Sequence, residues 1–392
     1  MGGAERVLWN TLSYWQQNKA NNICTVLLPG AGLFADFLQS QEIDCVFFQM
    51  GNSVSNLGDS SVRKEHPLSR ILNLLIAMPS VYRAVRQIRK LIHLDAPDFV
   101  LANGFKAQIL AALAAPKGVP VVWFIQDFVC NRSIVSRILP RLWNKNVQIV
   151  ADSQAVAADV ANIMPHSLIT IWHNTVDLEK FYPVDINPCF LDKIAEFPLP
   201  WKGLRIGLVA TFAKWKGHKI FLQAAKMVAE KMKAPIRFYM VGGPIYQSNI
   251  SQWSIEELKQ ESDSLSLNNS VGFIGFQQDM AKVYNALDVV VHASTDPEPF
   301  GQVIIEGMAC GKSVLVAAHG GAGEIGTSGL DCLHHQPGDA KSMAECIIYL
   351  IENEKVREKI GNEARATVVK SFGMNSISRR WESLFKSLEL PC

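Results

Sequence analysis

Glu298 and Glu306 stand eight residues apart in PEPFGQVIIEGMACG (297–311), with a Phe-Gly pair just after the first and a glycine closing the run. Taken alone, two such glutamates read equally well as the exposed acidic face of an ordinary helix. The apolar run before them, DVVVHAS (288–294), and the loop STDPEPFG instead suggest a strand, a loop, and a helix from Gly301 to Gly311. A helix N-terminus presents unpaired amides and positive potential, so the N–H groups of Phe300, Gly301 and Gln302 form a seat for a phosphate. Gly301 permits close backbone approach. Eight helical residues at about 1.5 Å each span about 12 Å, an upper bound here because the first part is loop. Over that reach the two carboxylates touch different parts of one extended ligand, such as a sugar and a ribose.

Such a loop needs a sheet behind it. Short runs rich in Val, Ile and Phe recur between longer amphipathic stretches: ICTVLLPG (23–30), CVFFQM (45–50), PDFVLANG (97–104), VPVVWFIQD (119–127), VQIVADS (147–153) and LITIWHN (168–174). A second series holds LRIGLVA (204–210), IRFYMVGG (236–243), VGFIGF (271–276), DVVVHAS and SVLVAA (313–318). Strands alternating with helices imply parallel sheets covered on both faces. Between the series, FYPVDINPCFLDKIAEFPLPWKG (181–203) is broken by prolines, has no clean period, and reads as a linker. Helical pattern resumes from Lys341, with Gly361 and Gly373 as expected breaks. Open parallel sheets bind ligands beyond the carboxyl ends of their strands, so the chemistry is expected in loops after strands, at a cleft between two domains.

The totals agree with this division. A length of 392 residues exceeds what one core usually organises. An apolar content of 48% against 19% charged fits a packed enzyme, not a disordered chain. A formal net charge of +2 argues against a nucleic-acid partner. The eight cysteines are dispersed, with no C-x-x-C pair, which reads as free thiols in a reducing cytoplasm. No apolar run is long enough to span a bilayer and no signal peptide is evident, so a cytoplasmic protein, at most peripheral on a membrane, is expected.

PEPFGQVIIEGMACGKSVLVAAHGGAGEI resembles the signature of family-4 retaining glycosyltransferases of the GT-B fold. GGAERVL (2–8), HNTVDLEKFYP (173–183), WKGHKIFLQAA (215–225) and QPGDAKSMAECI (336–347) agree with it in order, so the resemblance covers nearly the whole chain. It implies transfer of a sugar from a nucleotide-diphosphate donor with retention at the anomeric carbon. In the roles it implies, Glu298 contacts the donor sugar, Glu306 the ribose hydroxyls, and Lys216 the diphosphate leaving group. A fixed cation and a helix N-terminus stabilise the charge that builds on the departing phosphate. Glu324, in the Gly-Gly-x-x-Glu loop, and the Gly2-Gly3 loop are further donor contacts. The family uses no metal and this chain has no D-x-D pair, so no metal and no cofactor are expected.

Three departures stand out. Thr211 occupies the place of an arginine that shares the diphosphate, so either Lys214 replaces it or Lys216 and backbone amides suffice. Gln126 stands where relatives carry histidine, before Asp127; Asp127 either contacts the acceptor or caps the next helix. Asn103, ending its own strand run, is the other acceptor candidate. The Gly-Gly loop normally follows a central first strand, yet only Met1 precedes it here. Either the chain starts upstream, or that strand is missing and two neighbours lose hydrogen bonds.

Other residues support rival readings. GAGEIG (321–326) matches G-x-G-x-x-G and raises an NAD-dependent oxidoreductase, but no helical period follows it. A non-catalytic nucleotide-sugar binder or an epimerase on the same fold is the other alternative. Residues 60–145 hold thirteen Lys or Arg against four acids, interleaved with Leu, Ile and Trp. That segment is either a set of solvated helix faces or a surface for an anionic membrane near a lipid-linked acceptor. His292, at a strand end, and His334 and His335, expected to follow a short strand, are lone histidines read as structural.

The expected architecture is α/β, GT-B, with two Rossmann-like doubly wound parallel-sheet domains facing a central cleft. Residues 1–180 would bind the acceptor, a saccharide or lipid-linked saccharide, and 204–371 the donor. Residues 372–392 would form a helix returning to the N-terminal domain. UDP is the first expectation for the nucleotide and GDP the second.

Overall fold

The computed structural model of the chain describes residues 3–17, 23–51, 67–199, 201–244 and 251–388. The chain divides into two compact units, Met1–His173 with Ile377–Cys392, and Asn174–Ser376. Both are built on parallel sheet, as the alternation of apolar runs requires.

In the second unit β7 (Leu204–Val209), β8 (Ile236–Val241), β9 (Val271–Ile274), β10 (Val289–His292), β11 (Ser313–Ala317) and β12 (Leu333–His335) form one sheet in the order β12-β11-β10-β7-β8-β9. Every pairing is parallel. Side chains alternate between two apolar layers, as the strand period of two demands. Ile206, Leu208, Val289, Val291 and Leu315 face one layer with Phe221, Val228 and Met343. Val209, Val290, Val314 and Val316 face the other with Tyr284, Ile304 and Met308. Helices start at side-chain caps: Asp279 accepts from Lys282 N–H, Asp339 from Lys341 and Ser342, and Ser254 forms a capping box with Glu257.

The first unit carries β3 (Val100–Asn103), β4 (Val121–Ile125), β5 (Val147–Ala151) and β6 (Ile169–Ile171) as one parallel sheet in that order. β1 (Thr25–Leu28) and β2 (Asp44–Phe47) form a separate parallel pair. Among the described residues no ladder joins the two pieces. The final helix, Asn375–Ser387, turns Ile377, Trp381 and Leu384 inward. Trp381 packs at ring-centroid distances of 4.5 Å from Trp15 and 4.9 Å from Trp172.

Three local expectations are corrected. Gly361 does not break a helix; it lies inside Glu354–Ser371, where an added Cβ would meet the Gly311 carbonyl oxygen at 2.3 Å. Close helix packing, not termination, requires glycine there. His334 and His335 lie within β12, not after it. The segment 181–203 is no bare linker, because it forms the helix Cys189–Ile194 with Leu191 and Asp192 fully buried in the second unit.

Asp192 explains that anchoring. Its two oxygens accept from Arg205 Nη2 at 2.7 Å, Arg237 Nη1 at 2.6 Å and Tyr239 Oη at 2.5 Å. Burial works against its charge, but the Tyr239 hydroxyl and the two guanidinium groups outweigh burial and lower its pKa. Arg237 is further held between the rings of Phe197 and Trp201, 4.4 and 3.9 Å from their centroids. Removing the carboxylate strands two buried cations, so Asp192→Ala should cost about 3–5 kcal/mol in urea unfolding. A loss below about 1 kcal/mol, the worth of a surface pair, would show that the network does not fasten the segment.

Candidate active site

In the second sheet the chain runs outward from β7 through β8 to β9, then returns to the other side of β7 to lay down β10, β11 and β12. The strand order therefore reverses between β7 and β10. It is at such a reversal, beyond the carboxyl ends of the strands, that doubly wound sheets bind ligands. Lys216 comes from the turn after β7 and Glu298 from the loop after β10.

Each loop is held by contacts that tolerate little change. The turn Lys214–Lys216 closes at Gly217, with φ +74°, where an added Cβ would lie 1.9 Å from the Ala293 carbonyl oxygen. Thr295 N–H donates to the Trp215 carbonyl at 2.8 Å, tying the two loops together. The Glu298 peptide is bridged to Gly320: its N–H donates to His319 O at 3.2 Å and its carbonyl accepts from Gly321 N–H at 2.8 Å. A Cβ at Gly320 would meet the Glu298 carbonyl oxygen at 2.5 Å.

The side chains then converge. Lys216 Nζ donates to Glu298 Oε1 at 2.8 Å and Oε2 at 2.6 Å, and lies 3.9 Å from the Trp215 ring centroid. Ser294 Oγ donates to Glu298 Oε2 at 2.7 Å, and His292 Nε2 lies 3.2 Å from the same oxygen. His335 Nε2 reaches the His292 carbonyl at 2.9 Å. Glu298 is only 8% exposed. Burial alone would raise its pKa, but the Lys216 charge and the His292 hydrogen bond outweigh burial and hold the carboxyl far below the usual carboxylate range. His218, next along from Gly217, is pushed down to about 3 by burial, with Lys216 adding to the effect.

Glu306 sits on the helix Gln302–Ala309, is 1% exposed, and accepts from the Tyr284 hydroxyl at 2.9 Å. The exposed acidic face is thereby ruled out, since both glutamates are buried. Gly301 caps this helix with φ +116°. Gln302 Nε2 donates to the Thr175 carbonyl at 3.0 Å, and Phe300 is buried against Phe372. Glu324 is half-buried in the short turn Gly321–Glu324. That turn is a single 3₁₀ turn after β11, so GAGEIG lacks the long helix whose N-terminus a dinucleotide pyrophosphate needs. Thr211 is half-buried beyond β7. Lys214 Nζ lies over the Trp253 ring, 4.7 Å from its centroid, and not on Glu298.

In the first unit Asn103 ends β3 and its Oδ1 accepts from Gln126 Nε2 at 2.6 Å. Asp127, beyond β4, accepts from Phe128 N–H at 2.8 Å and pairs with Arg132 at 3.1 Å. Gly3 begins the helix Gly3–Gln17, and Gly2 lies outside the described residues. Sequence reasoning missed Ser294 and Tyr284 and set His292 aside. The spacing of His292 and Ser294, two apart at a strand end and so on one side, was the available signal.

A cation and a buried carboxylate meet at the switch point of a doubly wound sheet, with a glycine-capped helix start on the same loop, in a two-unit α/β protein. Comparison with known proteins narrows this class. The family model described as Glycosyltransferase Family 4 matches residues 1–180, and Glycosyl transferases group 1 matches 192–367. The chain belongs to the family-4 glycosyltransferases of the GT-B fold and is a glycosyltransferase.

Among its relatives, the N,N'-diacetylbacillosaminyl-diphospho-undecaprenol alpha-1,3-N-acetylgalactosaminyltransferase of Campylobacter jejuni is 28% identical over 74% of this chain and 76% of its own. The N-acetyl-alpha-D-glucosaminyl L-malate synthase of Bacillus anthracis is 27% identical over 58% of this chain and 59% of its own. The crystal structure of Anabaena HepE in complex with UDP-glucose superposes with a TM-score of 0.79 at 24% identity, covering 99% of this chain and 96% of that one. That likeness carries the fold.

The depressed carboxyl has a measurable sign. Its pKa is lower folded than unfolded, so Glu298 contributes stability in full above the ordinary carboxylate value of about 4.3, and that contribution fades as pH falls towards the folded value. Against Glu298→Gln, the wild-type chain should lose about 1.4 kcal/mol for each pH unit below about 4. Urea unfolding of both proteins at neutral pH and at about pH 3.5 measures this. An equal gap at both values would mean that the folded chain does not hold Glu298 ionised.

Proposed function

We propose that the protein moves a hexosyl group from a UDP-sugar to a saccharide or lipid-linked saccharide, with retention and without a metal ion. The observation that carries this reading is the Lys216–Glu298 pair at the β7/β10 switch point: one cation for a diphosphate, one carboxylate for sugar hydroxyls. Neighbours of the same fold have been solved with UDP and with UDP-glucose, which favours UDP over GDP. The Campylobacter relative acts on a diphospho-undecaprenol-linked saccharide, which favours a lipid-linked acceptor.

In this reading Lys216 and the amides at Phe300, Gly301 and Gln302 take the diphosphate, Glu306 the ribose and Glu298 the sugar, with Glu324 beside them. The bond from C1 to the phosphate oxygen breaks as the acceptor oxygen bonds to C1 on the same face. The acceptor proton passes to the departing phosphate, so the nucleoside diphosphate leaves with it and no nucleophile on the chain is used. Asn103 and Asp127 are the acceptor contacts.

Residues 76–94 support a membrane-facing role for the first domain. On the helix Pro67–Asp95, Ala77, Ala84, Ile88 and Ile92 turn inward, while Arg83, Arg86, Lys90, Ile76, Met78, Tyr82 and Leu94 are exposed. Cations among apolar side chains suit an anionic bilayer, where a lipid-linked acceptor resides. Among the described residues no helix is long and apolar enough to cross a membrane.

Thermal shift with UDP, GDP, ADP and NAD, with EDTA present, tests the donor. UDP should raise the unfolding temperature in the wild type and leave Lys216→Ala unmoved; a response to NAD alone would overturn the reading. In sedimentation with anionic liposomes at low salt, the protein should pellet with the vesicles. Replacing Arg83, Arg86 and Lys90 together by Gln should release it, and a wild-type chain left in the supernatant would end the membrane role.

A further inference from the structure

The two oxygens of Glu298 are held unequally. Oε2 accepts from Lys216 at 2.6 Å and Ser294 at 2.7 Å and lies 3.2 Å from His292 Nε2, while among the described residues Oε1 accepts from Lys216 alone, at 2.8 Å. An ionised carboxylate only accepts, so the single Ser294 proton goes to Oε2. Ser294 Oγ, its own proton spent, can only accept from His292 Nε2, 3.0 Å away, so the imidazole proton lies on Nε2 and is shared between Ser294 Oγ and Glu298 Oε2. The rigid donors thus converge on Oε2, and Oε1 is left with a flexible lysine.

Ser294 and His292 are themselves fixed. They leave the end of β10 two residues apart, on one side of the strand, and are 1% and 3% exposed. His335, from the end of β12, reaches the His292 carbonyl. The titratable groups found facing Glu298 are Lys216, from the turn after β7, and His292. Lys216 is therefore its counter-ion, and a diphosphate that recruits Lys216 takes that counter-ion away. A buried carboxylate left without compensation takes up a proton.

We propose that Ser294 and His292 are positioning residues that keep Glu298 ionised and oriented while a nucleoside diphosphate draws Lys216 off it, so that Oε1 is the oxygen turned to the donor sugar. This rests on the donor reading above. Glu298 and the diphosphate compete for one cation, and the Ser–His pair makes the exchange possible without protonation. Diphosphate binding and presentation of the sugar-binding carboxylate become one event.

Calorimetric titration of the full chain with UDP, at neutral pH in two buffers of different ionisation enthalpy, tests the exchange. Glu298→Gln frees Lys216 and should bind UDP about fivefold tighter or better than the wild type. Ser294→Ala should bind UDP about tenfold more weakly and take up an additional proton relative to the wild type. Ser294→Thr, which keeps the hydroxyl, should restore both. If Glu298→Gln binds no tighter, Lys216 is not being withdrawn and the proposal falls. If Ser294→Ala weakens binding with no additional proton uptake, its role is only structural and the proposal again falls. A wild-type chain that binds neither UDP nor GDP would instead overturn the donor reading, and this inference with it.

Discussion

A carboxylate that is 8% exposed is tolerable only if its charge is answered, and much of the second domain is arranged around answering Glu298. The counter-ion cannot come from its own loop, because PEPFG carries no base. It comes from the loop after β7, which is possible only because β7 and β10 are neighbours although 79 residues separate Val209 from Val289 in no continuous hairpin. Parallel pairing, the reversal of strand order there, and the close approach of Gly217 to Ala293 all serve that juxtaposition. The glycines follow from the ion pair's geometry: a Cβ at 217 or 320 would push apart the two backbones that carry its partners.

A second buried carboxylate shows by contrast what sets Glu298 apart. Asp192 and Glu298 are answered at opposite ends of β7, through Arg205 at its start and through the lysine turn beyond its end. Asp192 meets two arginine forks and a phenol, which engage both of its oxygens with groups that are themselves stacked or buried. Arginine's planar fork locks geometry, whereas lysine is a point charge on a flexible stem. The Asp192 network holds a segment of chain in place. The Glu298 network leaves one oxygen to a lysine on a flexible stem.

The same contrast explains what was legible in the sequence. The sheets were legible, since each β-branched or aromatic run between 23 and 318 contains its strand, except that β2 starts one residue early at Asp44, and the glycine-bounded helix at 302–309 fell where its caps put it. Glu298 and Glu306 stood out through local spacing, and Lys216 through the family resemblance. What was not legible depends on pairing between distant segments. Nothing in FLDKIAEF announces that Asp192 will meet Arg205 and Arg237, so a proline-broken stretch passed for a linker. Tyr284 lies 22 residues before the glutamate it serves. Gly361 looked like a helix breaker because the Gly311 backbone it accommodates is 50 residues away. His292 looked like an isolated strand-end histidine until the loop folded Glu298 back over it.

The departure at Thr211 gains meaning from these contacts. Where the resembling family places an arginine, this chain has a half-buried threonine, and Lys214, its nearest substitute, is engaged over Trp253. Lys216 is the lysine of that turn that reaches the switch point, and it is already committed to Glu298. A diphosphate arriving there must therefore share or take the cation that Glu298 uses. A site with a second, independent cation would leave the Glu298 pair intact on binding; in the proposed reaction this turn would couple the two. In the proposed exchange a serine and a histidine beside Oε2 matter more than their modest hydrogen bonds suggest, because they are what the carboxylate would retain once its counter-ion turned to phosphate.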